Sequence, residues 1–302
     1  MEVDNLIFIA SQPRSGSTYL QNILSNNKQT NTVSESWLML VLAPLFKPEA
    51  IINSTYDHKL ATQAFVHYQK KVNLDFDLEV RELALKLYKP LFSDFKFVID
   101  KTPRYWEILD NLVTLFPESK IIILKRNPLD VVKSMIETWD IISLEKLNYF
   151  RNDILNAPLV IDEFLERHRG NPNIIDIYYT DLVDNKTKTI KTLYENLGIT
   201  FNDLVFDTSK NIKYKGEFGD PYQNNVLKKN KKLNLKFDKF LSGYVNYLGE
   251  DYFKKHNYKF DKGNKSKAFN YFISLGDFKK TVNKSSLKKE LSLFIKKRIN
   301  KL

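Results

Sequence analysis

Four short apolar runs punctuate the first two thirds of the chain: LIFIA (residues 6–10), FKFVID (95–100), KIIILK (120–125) and NIIDIYY (173–179). Each is rich in Ile, Val or Phe and predicts a strand buried on both faces. Helical patterns fill the intervals over residues 17–24, 58–71, 78–88, 105–116, 129–139 and 188–196. Strands alternating with helices predict an α/β fold with a central parallel sheet flanked by helices. Sheets of that kind bind ligands beyond the carboxyl ends of their strands. Residues 201–235 lack clear periodicity and predict a long loop, a feature that is usually functional or mobile. A last helical pattern covers 237–248, and a basic tail follows Lys259.

Composition narrows the class. A chain of 302 residues is long enough for one large α/β domain or two modest ones. With 43% hydrophobic residues and few Gly and Pro, wholesale disorder is excluded. The absence of cysteine excludes disulfide frameworks, Cys-based zinc or iron–sulfur sites and thiolate catalysis. The acidic, weakly apolar N-terminus does not read as a signal peptide. No run approaches ~18 apolar residues, so no transmembrane helix is expected and a cytoplasmic location is.

Charge changes the picture in one place. Residues 262–302 hold 12 Lys and Arg against Asp277 and Glu290, which accounts for +10 of the net +11. The basic character thus belongs to the tail, and no nucleic-acid reading module accompanies it.

Three of the four strand ends run into unusual polar stretches: SQPRSGS, DKTPR and KRNPLD. Ordinary capped turns would explain single residues among them, but three such ends should meet at one edge of the sheet. The first is a relative of the phosphate loop G-x-x-x-x-G-K-[ST], with Ser11 at the first Gly position and Ser17 where Lys should follow Gly16. Backbone N–H groups at Gly16, Ser17 and Thr18, together with Arg14 and the Ser15, Ser17 and Thr18 hydroxyls, make a candidate anion site. In the third stretch Arg126 stands at a strand end and Ser134 two turns into the next helix. Because eight residues of helix rise ~12 Å, both reach one ligand only if it lies along the helix.

PRSGSTYL followed by RNPLDVVKSM resembles the motif pair of the sulfotransferases that use 3′-phosphoadenosine-5′-phosphosulfate (PAPS), over roughly residues 5–200. The resemblance implies the phosphate-loop type of nucleotide-binding fold and PAPS as co-substrate, with PAP as product. It places the 5′-phosphosulfate on Arg14, Ser15, Gly16, Ser17 and Thr18, and the 3′-phosphate on Arg126 and Ser134. DKTPRY resembles a segment whose Lys contacts the sulfuryl oxygens, which points to Lys101; the alternative for Lys101 is a solvated strand end. Tyr179, in YYTDL, matches a nucleotide-side position, although Thr180 replaces the Glu usual in that segment. The Arg form of the loop resembles glycan- and tyrosine-modifying members more than cytosolic ones.

Cytosolic members use a catalytic His, but His58, His67, His168 and His256 lie in no motif and read as surface or helix-face residues. Glu35, in TVSESWL, sits where tyrosine-modifying members carry their catalytic Glu, and the alternative is a helix-capping role. The expected catalytic set is therefore Glu35, Lys101 and Arg14, with no metal. The expected acceptor is a hydroxyl of a carbohydrate or glycolipid, with a tyrosyl or phenol acceptor, or a small-molecule phosphate-loop kinase, as rival readings. Residues 1–260 are expected to form the catalytic domain and 261–302 a basic tail. Within that tail, 285–302 carry an amphipathic pattern suited to docking on the domain or to peripheral membrane contact.

Overall fold

The computed structural model describes residues 5–33, 35–47, 58–72, 75–207 and 235–283. They fall into two compact units, Met1–Arg126 with Asn156–Val226, and Asn127–Leu155 with Leu227–Leu302.

Along the chain β1 (Leu6–Ser11) leads to α1 (Ser17–Ser25), β2 (Thr30–Val33), α2 (Leu38–Phe46), α3 (His58–Val72) and α4 (Phe76–Phe92). Next come β3 (Phe97–Lys101), a 3₁₀ turn (Pro103–Ile108), α5 (Leu109–Leu115) and β4 (Lys120–Lys125). The second unit then takes α6 (Pro128–Thr138), α7 (Leu144–Leu147) and α8 (Arg151–Leu155). The chain returns to the first unit with α9 (Ala157–Arg167), β5 (Ile174–Tyr178), α10 (Tyr179–Asp184) and α11 (Lys186–Leu197). It ends in the second with α12 (Leu235–Leu248), α13 (Glu250–Lys255) and α14 (Lys267–Asn283).

The first unit is built on a five-stranded sheet of order β2-β3-β1-β4-β5, every pair parallel. Its three inner strands are buried along almost their whole length because helices cover both faces, and their polar residues fall at the strand ends. Side chains alternate with the two-residue period of a strand. Leu6, Phe8, Ala10, Val98, Ile121 and Ile123 enter one core with residues of α2, α4, α5 and α9. Ile7, Ile9, Ile99, Ile122 and Leu124 enter the other with residues of α1 and α11. Registers Ile9↔Lys101 and Ser11↔Leu124 bring the carboxyl ends of β3, β1 and β4 side by side. The three polar stretches therefore start along one edge.

The four expected strands are present, and β2 is an addition. Its sequence TNTV carries no apolar alternation, and polar bonds hold it instead: Gln21 Nε2 donates to Thr32 Oγ1 (2.6 Å) and Asn31 Nδ2 to Leu91 O (2.7 Å). β3 begins at Phe97, because Phe95 N–H closes a turn onto Phe92 O (2.8 Å) at the end of α4. The helix expected over 105–116 is a 3₁₀ turn followed by α5, with Ile108 at φ −134° between them. Helix α2, LMLVLAPLF, has no polar position and hence no amphipathic period to read.

In the second unit, Asn127 Oδ1 accepts from Leu129 N–H (3.0 Å) and Pro128 takes the first helical position, a sound start for α6. α14 packs on α12: Phe269 and Phe272 are buried against Phe240, and Arg151 Nη1 donates to Phe272 O (2.7 Å). A Cβ at Gly243 would collide with Phe269 and Ser266, so the two helices approach through that glycine. The first part of the basic tail is thus integral to this unit. The amphipathic stretch 285–302 and most of the loop expected over 201–235 lie outside the described residues. Among the described residues no helix is long and apolar enough to cross a membrane.

Candidate active site

β1 delivers the chain into a loop whose turn is closed by Ser15 N–H on Gln12 O (3.2 Å). Two residues there are left-handed, Arg14 at φ 72° and Gly16 at φ 95°. Arg14 carries the steric cost of that conformation, about 1–2 kcal/mol for a residue with a Cβ. At Gly16 glycine is needed twice over, since a Cβ would also lie 2.5 Å from the Tyr179 ring. α1 starts immediately at Ser17 with no side chain capping its first N–H groups. The Ser15 hydroxyl is fully buried and has no hydrogen-bond partner among the described residues. A buried hydroxyl without a partner beside an uncapped helix N-terminus suits an anionic group. Ser17 is buried and Thr18 half-buried on the first turn.

The loop is clamped from the β4 side. Arg126, just past β4, donates from Nη1 to Arg14 O (2.9 Å), and its guanidinium lies 4.5 Å from the centre of the Tyr179 ring. Tyr179, the first residue of α10, thus touches both Gly16 and Arg126 and ties the loop to the end of β5. Ser134 lies half-buried on α6, in the second unit.

On the β3 side Lys101 is 1% exposed, so it is no solvated strand end. Its Nζ donates to Glu35 Oε1 at 2.9 Å, and the two side chains keep 2% and 16% of their exposure. Capping falls to the next residue, since Ser36 Oγ accepts from Leu38 N–H (3.1 Å). Glu35 is thereby left to Lys101.

Beside this pair is a group that sequence reasoning missed. Asp100 is 1% exposed, and its Oδ2 accepts from Tyr88 OH (2.5 Å), Tyr105 OH (2.7 Å) and Ser36 Oγ (2.7 Å). Its Oδ1 accepts from Thr102 Oγ1 (3.1 Å). Burial, and then the Asp100 charge, push both phenols well above the ordinary tyrosine range, so they stay protonated donors. The only local signal was an acidic residue ending the apolar run FKFVID. Thr102 and Tyr105, 2 and 5 positions on, read as part of a turn, and the other two partners, 12 and 64 positions away, gave no signal.

The histidines lie elsewhere. His168 pairs with Asp110 (2.9 Å), His67 is exposed, and His256 is buried beside Tyr252 and Tyr258 in the second unit rather than on a surface. Among the described residues no group of three or more His, Cys, Asp or Glu could hold a metal ion.

The model of the Sulfotransferase family matches residues 6–203, about two thirds of the chain. The nodulation protein NoeE of Sinorhizobium fredii (strain NBRC 101917 / NGR234) is 30% identical over 141 residues, covering 45% of this chain and 32% of that protein. An uncharacterized protein of Aquifex aeolicus (strain VF5) is 27% identical over 141 residues, covering 42% and 16%. The chain thus spans a third or less of the length of these curated relatives. Among solved structures, the sulfotransferase domain from the Synechococcus PCC 7002 olefin synthase superposes with a TM-score of 0.50 at 21% identity, over 85% of this chain and 95% of that one. Sulfotransferase STF9 from Mycobacterium avium gives 0.50 at 12% identity, over 87% and 79%. At those identities the likeness is one of fold.

Proposed function

We propose that this chain, which belongs to the sulfotransferase family, moves the sulfuryl group of PAPS to an acceptor hydroxyl of a carbohydrate or glycolipid. PAPS is a co-substrate, and the chemistry it brings is an activated sulfuryl group on a good leaving group. The observation that carries the reading is the loop between two cations, with Arg126 clamping it from β4 and the buried Lys101–Glu35 pair beside it on β3.

In this reading Arg14, Ser15, Gly16, Ser17 and Thr18 hold the 5′-phosphosulfate, and the unpartnered Ser15 hydroxyl donates to it. Arg126 holds the 3′-phosphate, with Tyr179 on the nucleotide side orienting the guanidinium, and the family's motif assigns Ser134 to the same phosphate. Transfer forms the acceptor O–S bond as the S–O bond to PAP breaks. Glu35 takes the acceptor proton, and its partial exposure leaves room for the hydroxyl to approach. Lys101 and Arg14 face the charge that grows on the sulfuryl oxygens and the departing oxygen. No metal is required by these roles. The Arg form of the loop sets the chain beside glycan- and tyrosine-modifying members, and of those two acceptors we put the glycan hydroxyl first and the tyrosyl or phenol hydroxyl second. We place the enzyme in the cytoplasm, with residues 285–302 available for peripheral membrane contact.

The test is transfer of labelled sulfate from PAPS to a panel of glycans, glycolipids and phenols. Glu35→Gln should keep PAP affinity and lose turnover by ~10²–10⁴-fold. Wild-type turnover in that variant would remove Glu35 from the mechanism, and transfer confined to phenols would remove the glycan acceptor.

A further inference from the structure

A carboxylate buried to 1% exposure, used by none of the roles above and holding four hydroxyl donors, calls for a purpose. Asp100 has no cation at ion-pair distance among the described residues, so hydroxyls alone replace its hydration. Those hydroxyls come from four directions: Tyr88 from α4, Tyr105 from the 3₁₀ turn, Thr102 from the residue after β3, and Ser36 from the approach to α2.

Three of the four also reach the start of α2. Ser36 Oγ accepts from Leu38 N–H (3.1 Å), Tyr105 OH from Met39 N–H (3.2 Å) and Thr102 Oγ1 from Trp37 N–H (3.3 Å). They satisfy the first amide groups of α2, where Trp37 is held left-handed at φ 54°. The consequence reaches the reacting side chains. Asp100 is covalently next to Lys101, and Ser36 is covalently next to Glu35. A hydrogen bond from Ser36 to Asp100 (2.7 Å) and an ion pair from Lys101 to Glu35 (2.9 Å) thus form two adjacent rungs between the same two backbone segments.

We infer that Asp100 is a positioning residue: through Ser36 and the Tyr88, Tyr105 and Thr102 hydroxyls it sets where Glu35 stands relative to Lys101 and to the acceptor oxygen. The inference rests on the reading of Glu35 as base. It adds that the base is aimed by a buried carboxylate which itself touches neither substrate nor proton. Aim matters here, because a displacement of about 1 Å at a reacting group can cost on the order of 10²-fold in rate.

The experiment is a double-mutant cycle with turnover and PAP affinity as readouts. Ser36→Ala, at a half-buried site, removes the rung nearest the base together with one capping bond of α2, so its melting point is measured alongside its rate. Asp100→Asn removes the carboxylate with little change of shape. Each should lower kcat about tenfold or more, leave PAP affinity within about twofold, and be inert when added to Glu35→Gln. Ser36→Thr, which keeps the hydroxyl, should recover most of the rate. If Asp100→Asn fails to fold, the two Ser36 variants complete the cycle. A rate loss that is the same in the Glu35→Gln background, or a wild-type rate in Ser36→Ala, overturns the positioning role while leaving Glu35 as base. A wild-type rate in Glu35→Gln alone overturns the base, and the positioning role with it.

Discussion

Gly16 is the residue at which backbone and ligand requirements coincide. Its φ of 95° and the Tyr179 ring, 2.5 Å from where a Cβ would lie, both oppose any side chain there. Gly16→Ala should therefore distort the loop and weaken PAP binding at least tenfold, as titration calorimetry would show. Tyr179→Ala in that background removes the collision but not the left-handed strain, so recovery should be partial. A Gly16→Ala protein with full affinity would mean that the loop does not hold the nucleotide. The loop residues and Arg126 were legible in the sequence because their chemistry is local, each following an apolar strand within a few positions. The Lys101–Glu35 contact joins residues 66 positions apart, so the sequence supplied the two candidates but not the 2.9 Å between them. Asp100 escaped because its local partners, Thr102 and Tyr105, read as an ordinary turn, and the fold brings it the other two, Tyr88 and Ser36.

Among the elements, the inner strands and helices α1 and α6 were legible from apolar periodicity, since burial on both faces leaves short runs of Ile, Val, Leu and Phe. β2 was not, because Thr30–Val33 holds its place at the sheet edge through side-chain hydrogen bonds. The elements also carry a pH prediction. Burial raises the Tyr88, Tyr105 and Tyr194 phenols, whose helices and turn pack on the two sides of the sheet. Tyrosines of the unfolded chain ionise near pH ~10, so above that pH the folded state binds more protons than the unfolded one. The stabilisation is fully present below about pH 10 and is lost as pH climbs above it. Urea midpoints measured between about pH 8 and 11 should fall at the alkaline end, and Tyr194→Phe should flatten that fall. A midpoint constant across the range would contradict the burial of these phenols.

For the whole molecule, the shift in composition near residue 260 marks charge rather than packing. α14 lies beyond that point, yet Phe269 and Phe272 are buried within the second unit. Each such ring contributes about 1.5–3 kcal/mol by leaving water. A chain ending at Phe260 should therefore melt well below one ending at Asn283. Sedimentation of the Asn283 truncation and the full-length chain with anionic vesicles tests the membrane role proposed for residues 285–302. Loss of pelleting with PAP binding retained supports membrane contact, and pelleting unchanged by the truncation contradicts it. The central claim, a sulfuryl-transfer site recognising a 3′-phosphate, is tested most directly by a melting comparison of PAP with ATP. PAP at 100 times its dissociation constant should add ~2.7 kcal/mol and a clear rise in Tm, ATP should add little, and Arg126→Ala should erase most of the difference. Equal rises with PAP and ATP in the wild-type protein would contradict the account.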